Sequence, residues 1–270
     1  MTFTRIGSIE VLAALGQGAK SNVMLVRRNA DELQYALKVV SVAKLKERKY
    51  LAQARQEYRV GRMFDHPNLV KVFSIETETD WFLHPKRVKL LIEYVPGQTL
   101  DRIPSPSFNT LLAAFLGAAE GVATMHERGV VHADLKPNNI MISPNSVKVI
   151  DFGLARIDGE STDRLQGTPE FMAPETIARK IVDVRTDIYN FGATMYRLTT
   201  GLYGPRSTGG LPISERRYRE SYRKLCVVNP GYPEGFGHLV DRCLCFQPYE
   251  RPDSMRELCT KLKQLFAFRE

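Results

Sequence analysis

The chain is predicted to be an α+β protein in two parts: a small antiparallel β-sheet part carrying one main helix, and a larger, mostly helical part. Three observations predict this. The first third consists of short apolar runs rich in Val, Leu and Ile, separated by glycines and polar turns. After Pro96-Gly97 the apolar residues change to helical spacing. The 270 residues are 43% hydrophobic and 25% charged, which supports a sizeable core and excludes a disordered or collagen-like chain.

The elements follow in order. Val11–Leu15, Val23–Val26 and Tyr35–Val40 read as three strands, divided by Gly16-Gln17-Gly18 and by the polar turn Asn29–Glu32, which gives an antiparallel meander. Residues 44–63 are rich in Lys, Arg, Glu, Gln and Ala, with no glycine before Gly61, and predict a polar helix whose narrow apolar side carries Leu51, Ala54 and Tyr58. Leu69–Ile75 and Val88–Tyr94 add two strands. The boundary falls near 95–97. Pro104-Ser105-Pro106-Ser107 is a short connector, and the helical spacing of Phe108, Leu111, Leu112, Phe115, Leu116, Ala119, Val122 and Ala123 predicts a long amphipathic helix. Gly201, Gly204, Gly209, Gly210, Pro205 and Pro212 mark a surface loop over 201–215. Leu258, Leu262 and Leu265 place a last helix near the end.

Composition removes several functions. No apolar run approaches the roughly 18 to 20 residues that span a bilayer, and Met1–Arg5 lacks the apolar stretch of a signal peptide, so a cytoplasmic protein with no membrane segment is expected. The four cysteines lie at 226, 243, 245 and 259, and Cys243-x-Cys245 lacks the spacing of a C-x-x-C metal or redox motif, so reduced, partly buried thiols are expected. Lys and Arg number 38 against 30 Asp and Glu, a net charge of +8 that sits mainly in the first 95 residues. That field suits nucleic acid, anionic lipid, an acidic protein surface or a nucleotide, and charge alone does not choose.

The motifs narrow the choice. Gly16-Gln17-Gly18-Ala19-Lys20-Ser21-Asn22-Val23 lies between two strands, so it is a Gly-rich hairpin and not the strand-to-helix turn of a dinucleotide or P-loop site. Its glycines let backbone N–H groups approach phosphate oxygens, and Val23 is placed to cover an adenine ring. Lys38 stands among apolar strand residues and needs an anionic partner, and Glu57, mid-helix beside Ala54 and Tyr58, is the best candidate. The densest chemistry is His132-Ala133-Asp134-Leu135-Lys136-Pro137-Asn138-Asn139, followed by short strands over 140–142 and 147–150 and by Asp151-Phe152-Gly153. The oxygens of Asn139 and Asp151 suit Mg²⁺ shared with phosphates. Asp134 can orient a hydroxyl or accept its proton, and Lys136 can offset charge on a moving phosphoryl group.

These residues resemble the protein-kinase family in order and spacing over roughly residues 9–266. The resemblance implies a bilobal kinase-like fold over residues 1–270 as a single catalytic domain, with a smaller lobe over about 1–95 and a larger one over about 96–270 that share one ATP site. It assigns Gly16, Gly18 and Val23 to an ATP-covering loop, Lys38 and Glu57 to an ion pair, Asp134 to the catalytic loop and Asn139 and Asp151 to Mg²⁺. Backbone groups of Glu93 and Val95 would meet adenine, with Ile92 behind it and Ala36 and Met141 on its two faces. Ala173-Pro174-Glu175 would close the activation segment, Glu175 would pair with Arg251, and Asp187 would anchor the catalytic loop from a buried helix. Lys136 and Gly167-Thr168-Pro169-Glu170-Phe171 are similar to the Ser/Thr branch, where the residue matching Thr168 contacts the aspartate and lysine. ATP, Mg²⁺ and a protein substrate are therefore the expected ligands, with no nucleic acid. The absence of long insertions resembles bacterial members.

Four residues depart from the family pattern. Ser21 replaces the third glycine of the loop, and Lys20 replaces the aromatic at its tip. Ala133 replaces an arginine that would grip an activation-segment phosphate, which predicts activity depending little on that phosphate even though Ser161, Thr162 and Thr168 are available as acceptors. Gly61 replaces a large apolar residue and predicts a less firmly held helix, unless Met63 or Phe64 fills the space. Ser21, Ala133 and Gly61 motivate an alternative, a pseudokinase acting as an ATP-binding scaffold. A small-molecule phosphotransferase is a third reading, against which the Gly167–Glu175 stretch argues. The basic cluster Arg216, Arg217, Arg219, Arg223 and Lys224, and the basic residues of the first helix, read as solvated helix faces.

Overall fold

The computed structural model of the chain describes residues 6–18, 21–41, 48–82, 84–158, 165–205 and 214–267. Lys20, Ser161, Thr162 and the centre of the 201–215 loop lie outside the described residues. The chain divides into two compact units, Met1–Pro96 with Asp151–Gly153, and Gly97–Ile150 with Leu154–Glu270.

The first unit is a five-stranded antiparallel sheet with one helix. Strands β1 (Ile9–Gln17), β2 (Ser21–Arg28), β3 (Gln34–Ser41), β4 (Val72–Thr79) and β5 (Pro85–Glu93) run in the order β1-β2-β3-β5-β4. The polar turn after β2 closes with Glu32 at φ 59°. The fourth strand starts later than Leu69, because Leu69 N–H is spent on the His66 carbonyl in the turn built by Pro67. Helix α1 (Arg48–Gly61) packs on β3, β4 and β5 through Leu51, Ala54, Glu57, Val60 and Gly61. Across the sheet Ile6, Val26, Tyr35, Leu37 and Leu91 form a second apolar cluster.

Gly61 overturns the expectation of a loosened helix. A Cβ built there would lie 2.3 Å from Val72 Cγ2 and 3.4 Å from Phe152 Cδ2. The space is filled by the strand, not by Met63 or Phe64, so the glycine permits close approach and leaves no void.

The second unit begins with β6 (Gln98–Thr99) and a 3₁₀ turn, then α2 (Phe108–Glu127), capped by the Ser107 hydroxyl accepting from Thr110 N–H at 3.1 Å. By mean hydropathy and length α2 is apolar enough to cross a membrane, but 56% of its most apolar stretch is buried within the unit, as in a core helix. Leu111, Leu112, Phe115, Ala119 and Val122 are fully buried, and the helix packs on β9 and α8. Short pairs follow: β7 (Val130–Val131) with β10 (Arg156–Ile157), and β8 (Ile140–Ser143) with β9 (Ser146–Val149). Helices α3 (Pro174–Arg179), α4 (Val184–Thr200), α5 (Glu215–Ser221), α6 (Leu225–Val228), α7 (Glu234–Cys243) and α8 (Met255–Ala267) complete it. A capping box at Asp183 and Thr186 starts α4, and Gly201 at φ 71° ends it. All four cysteines are free, Cys243 and Cys259 buried.

Candidate functional site

Two clusters gather the chemistry, and each lies within one unit. In the first unit β2 pairs Val23 with Lys38 of β3, and β1 pairs Gly16 with Val23, so these three positions lie side by side on adjacent strands. Gly18 N–H donates to the Ser21 carbonyl at 2.7 Å, and a Cβ on Gly18 would meet Ser21 Oγ at 2.8 Å. A side chain at 18 would require the Ser21 hydroxyl to rotate away.

Lys38 is held as the sequence implies. Its Nζ lies 2.6 Å from Glu57 Oε2 and 3.4 Å from Asp151 Oδ1. Glu57 is 4% exposed and Lys38 18%, so that pair is largely dry, while the second carboxylate, Asp151, is 46% exposed. Burial works against the Lys38 charge, but Asp151 and Glu57 outweigh it and push its pKa up. Burial pushes Glu57 up to about 7, against the pull of Lys38 and with further repulsion from Asp151. Asp151 itself sits at φ 65°. Ala36 is paired with Ile92, and Tyr35 with Glu93, on the neighbouring strand. Glu93 is pinned at both ends: its N–H donates to the Lys71 carbonyl, and its Oε2 accepts from Lys71 N–H at 3.0 Å. Val95 is buried.

In the second unit a short loop carries Asp134, Lys136 and Asn139. Asp134 Oδ1 accepts from Thr168 N–H at 3.0 Å and Thr168 Oγ1 at 2.8 Å, and its Oδ2 accepts from Lys136 Nζ at 2.6 Å. Lys136 Nζ also reaches Thr168 Oγ1 at 2.7 Å, which closes a triangle. Asn139 Nδ2 donates to the Asp134 carbonyl at 2.8 Å. That bond turns the amide nitrogen inward and leaves Oδ1 as the atom that can serve a cation. The β8–β9 hairpin returns the chain so that Ile150 N–H donates to the Asn139 carbonyl at 2.9 Å. Met141, half-buried on β8, pairs with Thr99.

The loop hangs on a buried acid. Asp187 of α4 is 0% exposed, and its carboxylate accepts from His132 N–H at 2.7 Å and Ala133 N–H at 2.8 Å. Ala133 takes φ 66°, so the two N–H groups converge on one side. His126 Nε2 lies 2.9 Å from the same carboxylate; it was missed in the sequence, where a lone histidine at the end of an apolar helix carries no signal of its partner. Glu175 meets the buried Arg251 through two bonds of 2.7 and 2.9 Å. Arg185 was also missed: its Nη1 donates to the carbonyls of Arg251 and Pro252, both at 2.8 Å.

Among the described residues no cluster of three or more His, Cys, Asp or Glu could cage a metal. Asn139 and Asp151 offer oxygen donors instead. An amide oxygen and a carboxylate are each the kind of ligand that Mg²⁺ takes.

Compared with known proteins, the chain matches the family described as Protein kinase domain over residues 9–262. It is 28% identical over 276 residues to Serine/threonine-protein kinase pkn3 of Myxococcus xanthus, covering 94% of this chain and 49% of that protein. It is 33% identical over 212 residues to Serine/threonine-protein kinase PknB of Mycobacterium leprae, covering 74% of this chain and 33% of that protein. Serine/threonine-protein kinase PrkC of Bacillus subtilis is 23% identical over 273 residues, covering 96% of this chain and 41% of that protein. The chain spans half or less of the length of these relatives.

Proposed function

The chain belongs to the protein kinase family, and from that premise we propose that it transfers the γ-phosphoryl group of ATP to serine or threonine hydroxyls of cytoplasmic protein substrates, as one catalytic domain. The observation that carries this reading is the closed triangle of Asp134, Lys136 and Thr168. It holds a carboxylate and an ammonium in fixed register, which is what an acceptor hydroxyl and a moving phosphoryl group require.

Each residue has its part. Lys38, oriented by Glu57, takes the α- and β-phosphates. Gly16 and Gly18 let backbone N–H groups approach phosphate oxygens, and Val23, Ala36 and Met141 contact the adenine, whose edge meets backbone groups of Glu93 and Val95. Asn139 and Asp151 would hold Mg²⁺, which would offset negative charge on the phosphates. Asp134 orients the acceptor hydroxyl and receives its proton. Lys136 offsets charge on the transferring group, and Thr168 keeps Asp134 and Lys136 in place.

The reading includes little dependence on activation-segment phosphorylation, supported by the methyl side chain at Ala133. The cavity beside Ala133 is lined by Leu154, Leu165 and Val182, but also by Arg156 and Lys180, so it is not without cations. Phosphatase treatment tests this: loss of most activity would sink it. For the reaction, labelled phosphate transfer to a generic basic protein is measured for wild type and Asp134→Asn, with the phosphorylated amino acids identified. Wild-type transfer to Ser and Thr, abolished by Asp134→Asn with ATP still bound, is the expected result. Equal inactivity of both proteins while ATP binds would leave a scaffold.

A further inference from the structure

Trp81 and Phe82, at the tip of the β4–β5 hairpin, are 99% and 81% exposed. Single exposed apolar residues are ordinary, but two adjacent aromatic rings give up a large favourable burial. The tip is not a loose loop. Asp80 Oδ1 accepts from the N–H groups of Phe82 and His84, both at 2.9 Å, and Asp80 N–H donates to the His84 carbonyl at 2.9 Å. These bonds to backbone hold the Asp80 carboxyl below its ordinary pKa, so the turn stays tied. The chain thus spends three hydrogen bonds on a turn that projects two rings into solvent.

The hairpin arms carry Glu76, Glu78 and Asp80 against Lys86, Arg87 and Lys89, with Glu78 taken up by Lys89 at 2.5 Å and Arg87 at 3.8 Å. The surplus positive charge comes from the adjoining helix. Gly61 of α1 lies beside Val72 at the start of β4, and Glu57 lies beside Lys38, whose register partner Leu90 faces Ile75. Helix α1 therefore runs, from its C-terminus to its N-terminus, along β4 towards the tip. From Glu57 to Arg48 is about 13 Å of helix, and from Ile75 to Asp80 about 17 Å of strand, so Arg48 and Lys49 reach the same end of the unit as the aromatics. Both are exposed, and the first turn of α1 holds no acid. Cations at a helix N-terminus are electrostatically disfavoured unless an anionic partner receives them.

We propose that this end of the first unit docks on an anionic lipid surface, with Trp81 and Phe82 entering the headgroup region and Lys86, Arg87, Arg48 and Lys49 meeting acidic headgroups. A convex tip suits this partner, because a bilayer interface receives protruding aromatic rings without a matching pocket. Basic residues around such a tip attract anionic lipid over about a Debye length. Binding and phosphotransfer are separate properties, so this inference stands or falls apart from the kinase reading.

Trp81 is the one tryptophan of the chain, so intrinsic fluorescence reports on the tip alone. The purified chain is titrated with vesicles of phosphatidylcholine, with and without phosphatidylserine. A blue shift and co-sedimentation with the phosphatidylserine vesicles, reversed by salt and quenched by acyl-chain-brominated lipid, is expected. Trp81→Ala and Phe82→Ser should each lower co-sedimentation without changing transfer to a soluble substrate. Lys86→Ala and Arg87→Ala should each weaken it about fivefold, the factor one cation contributes near an anionic surface. No shift with phosphatidylserine vesicles overturns the proposal, as does binding unchanged in Trp81→Ala. A photo-crosslinker at position 81 that captures protein and not lipid from cell extract would overturn it in favour of a protein partner.

Discussion

Lys38, Glu57 and Asp151 in the first unit meet as three charges, the first two largely dry and the third half exposed, whereas Asp134, Lys136 and Asn139 in the second share one short loop that hydrogen-bonds to Thr168. The first set depends on elements far apart in sequence: a strand, a helix and the residue after the β8–β9 hairpin. Its charge state is soft, because burial and a second carboxylate raise Glu57 to about 7. The second set is largely local, and what it borrows from afar is Thr168 and one buried anchor, Asp187. The contrast teaches that the first cluster fails when charge or packing changes and the second when its anchor is lost.

The largest effect should follow from cutting that anchor. Asp187→Ala leaves the His132 and Ala133 N–H groups and His126 without their acceptor, and should cost about 3–5 kcal/mol, the usual result of deleting one member of a buried charged network. Urea denaturation followed by circular dichroism measures it. Asp187→Asn keeps one acceptor oxygen and should fall between. As a positioning residue, Asp187 should also show a split in the Asn variant: kcat lowered while ATP affinity is kept. A stability unchanged in Asp187→Ala would mean that the loop holds its own shape.

The next effect sharpens the packing side. Gly61→Leu forces a side chain into Val72, 2.3 Å from where its Cβ would stand, and overpacking of this kind costs about 1–3 kcal/mol. Because α1 carries Glu57, activity should fall as well. Adding Val72→Ala in the same chain should recover much of both losses. An active, fully stable Gly61→Leu single variant would show that the helix can step outward at little cost.

Gly61 also marks where the sequence was hard to read. Its identity showed that a large residue was missing, but not that Val72 of β4 moves in to occupy the space, since that depends on how closely helix and strand approach. The Lys38–Glu57 pair was legible because a lysine in an apolar strand demands an acid and the helix offered one beside its apolar side. Asp134, Asn139 and Asp151 were legible from the density of polar groups between short apolar strands. The turn at His66-Pro67 was not, and it moved the start of β4 from Leu69 to Val72. His126 and Arg185 stayed hidden because their partners lie about 60 residues away, at Asp187 and at the carbonyls before α8. The aromatic tip was present in the sequence as well, yet only the fold shows that Trp81 is 99% exposed.

The soft charge of the first cluster gives a pH prediction. Glu57 rises from its ordinary 4.5 to about 7, so the folded chain binds that proton more tightly than the unfolded chain does. Its contribution to stability is therefore full below 4.5 and declines as pH rises to about 7. Activity moves the other way: as pH falls through about 7 Glu57 becomes neutral and loosens its hold on Lys38. The kcat/KM for ATP, which reports the free enzyme, should show an acid limb near neutrality. Glu57→Gln should be slower at every pH and lack that limb. A limb that persists in Glu57→Gln would assign it to another group.

The smallest effect comes from charges arranged by neither cluster. On α5, Arg216 pairs with Glu220 at 2.9 Å and Arg219 with Glu215 at 2.7 Å, one helical turn apart. Arg216 is 87% exposed, so water screens the pair that in the first cluster is dry. An exposed pair at this spacing contributes about 0.3–0.5 kcal/mol, and Arg216→Ala should change stability by no more than that. Arg251 gives the internal contrast, since it is wholly buried against Glu175 and its loss strands a carboxylate. Thermal melts of Arg216→Ala and Arg251→Ala in one buffer, with and without added salt, make the comparison. The Arg216 difference should vanish in salt and the Arg251 difference should persist, because screening reaches only charges that water already touches.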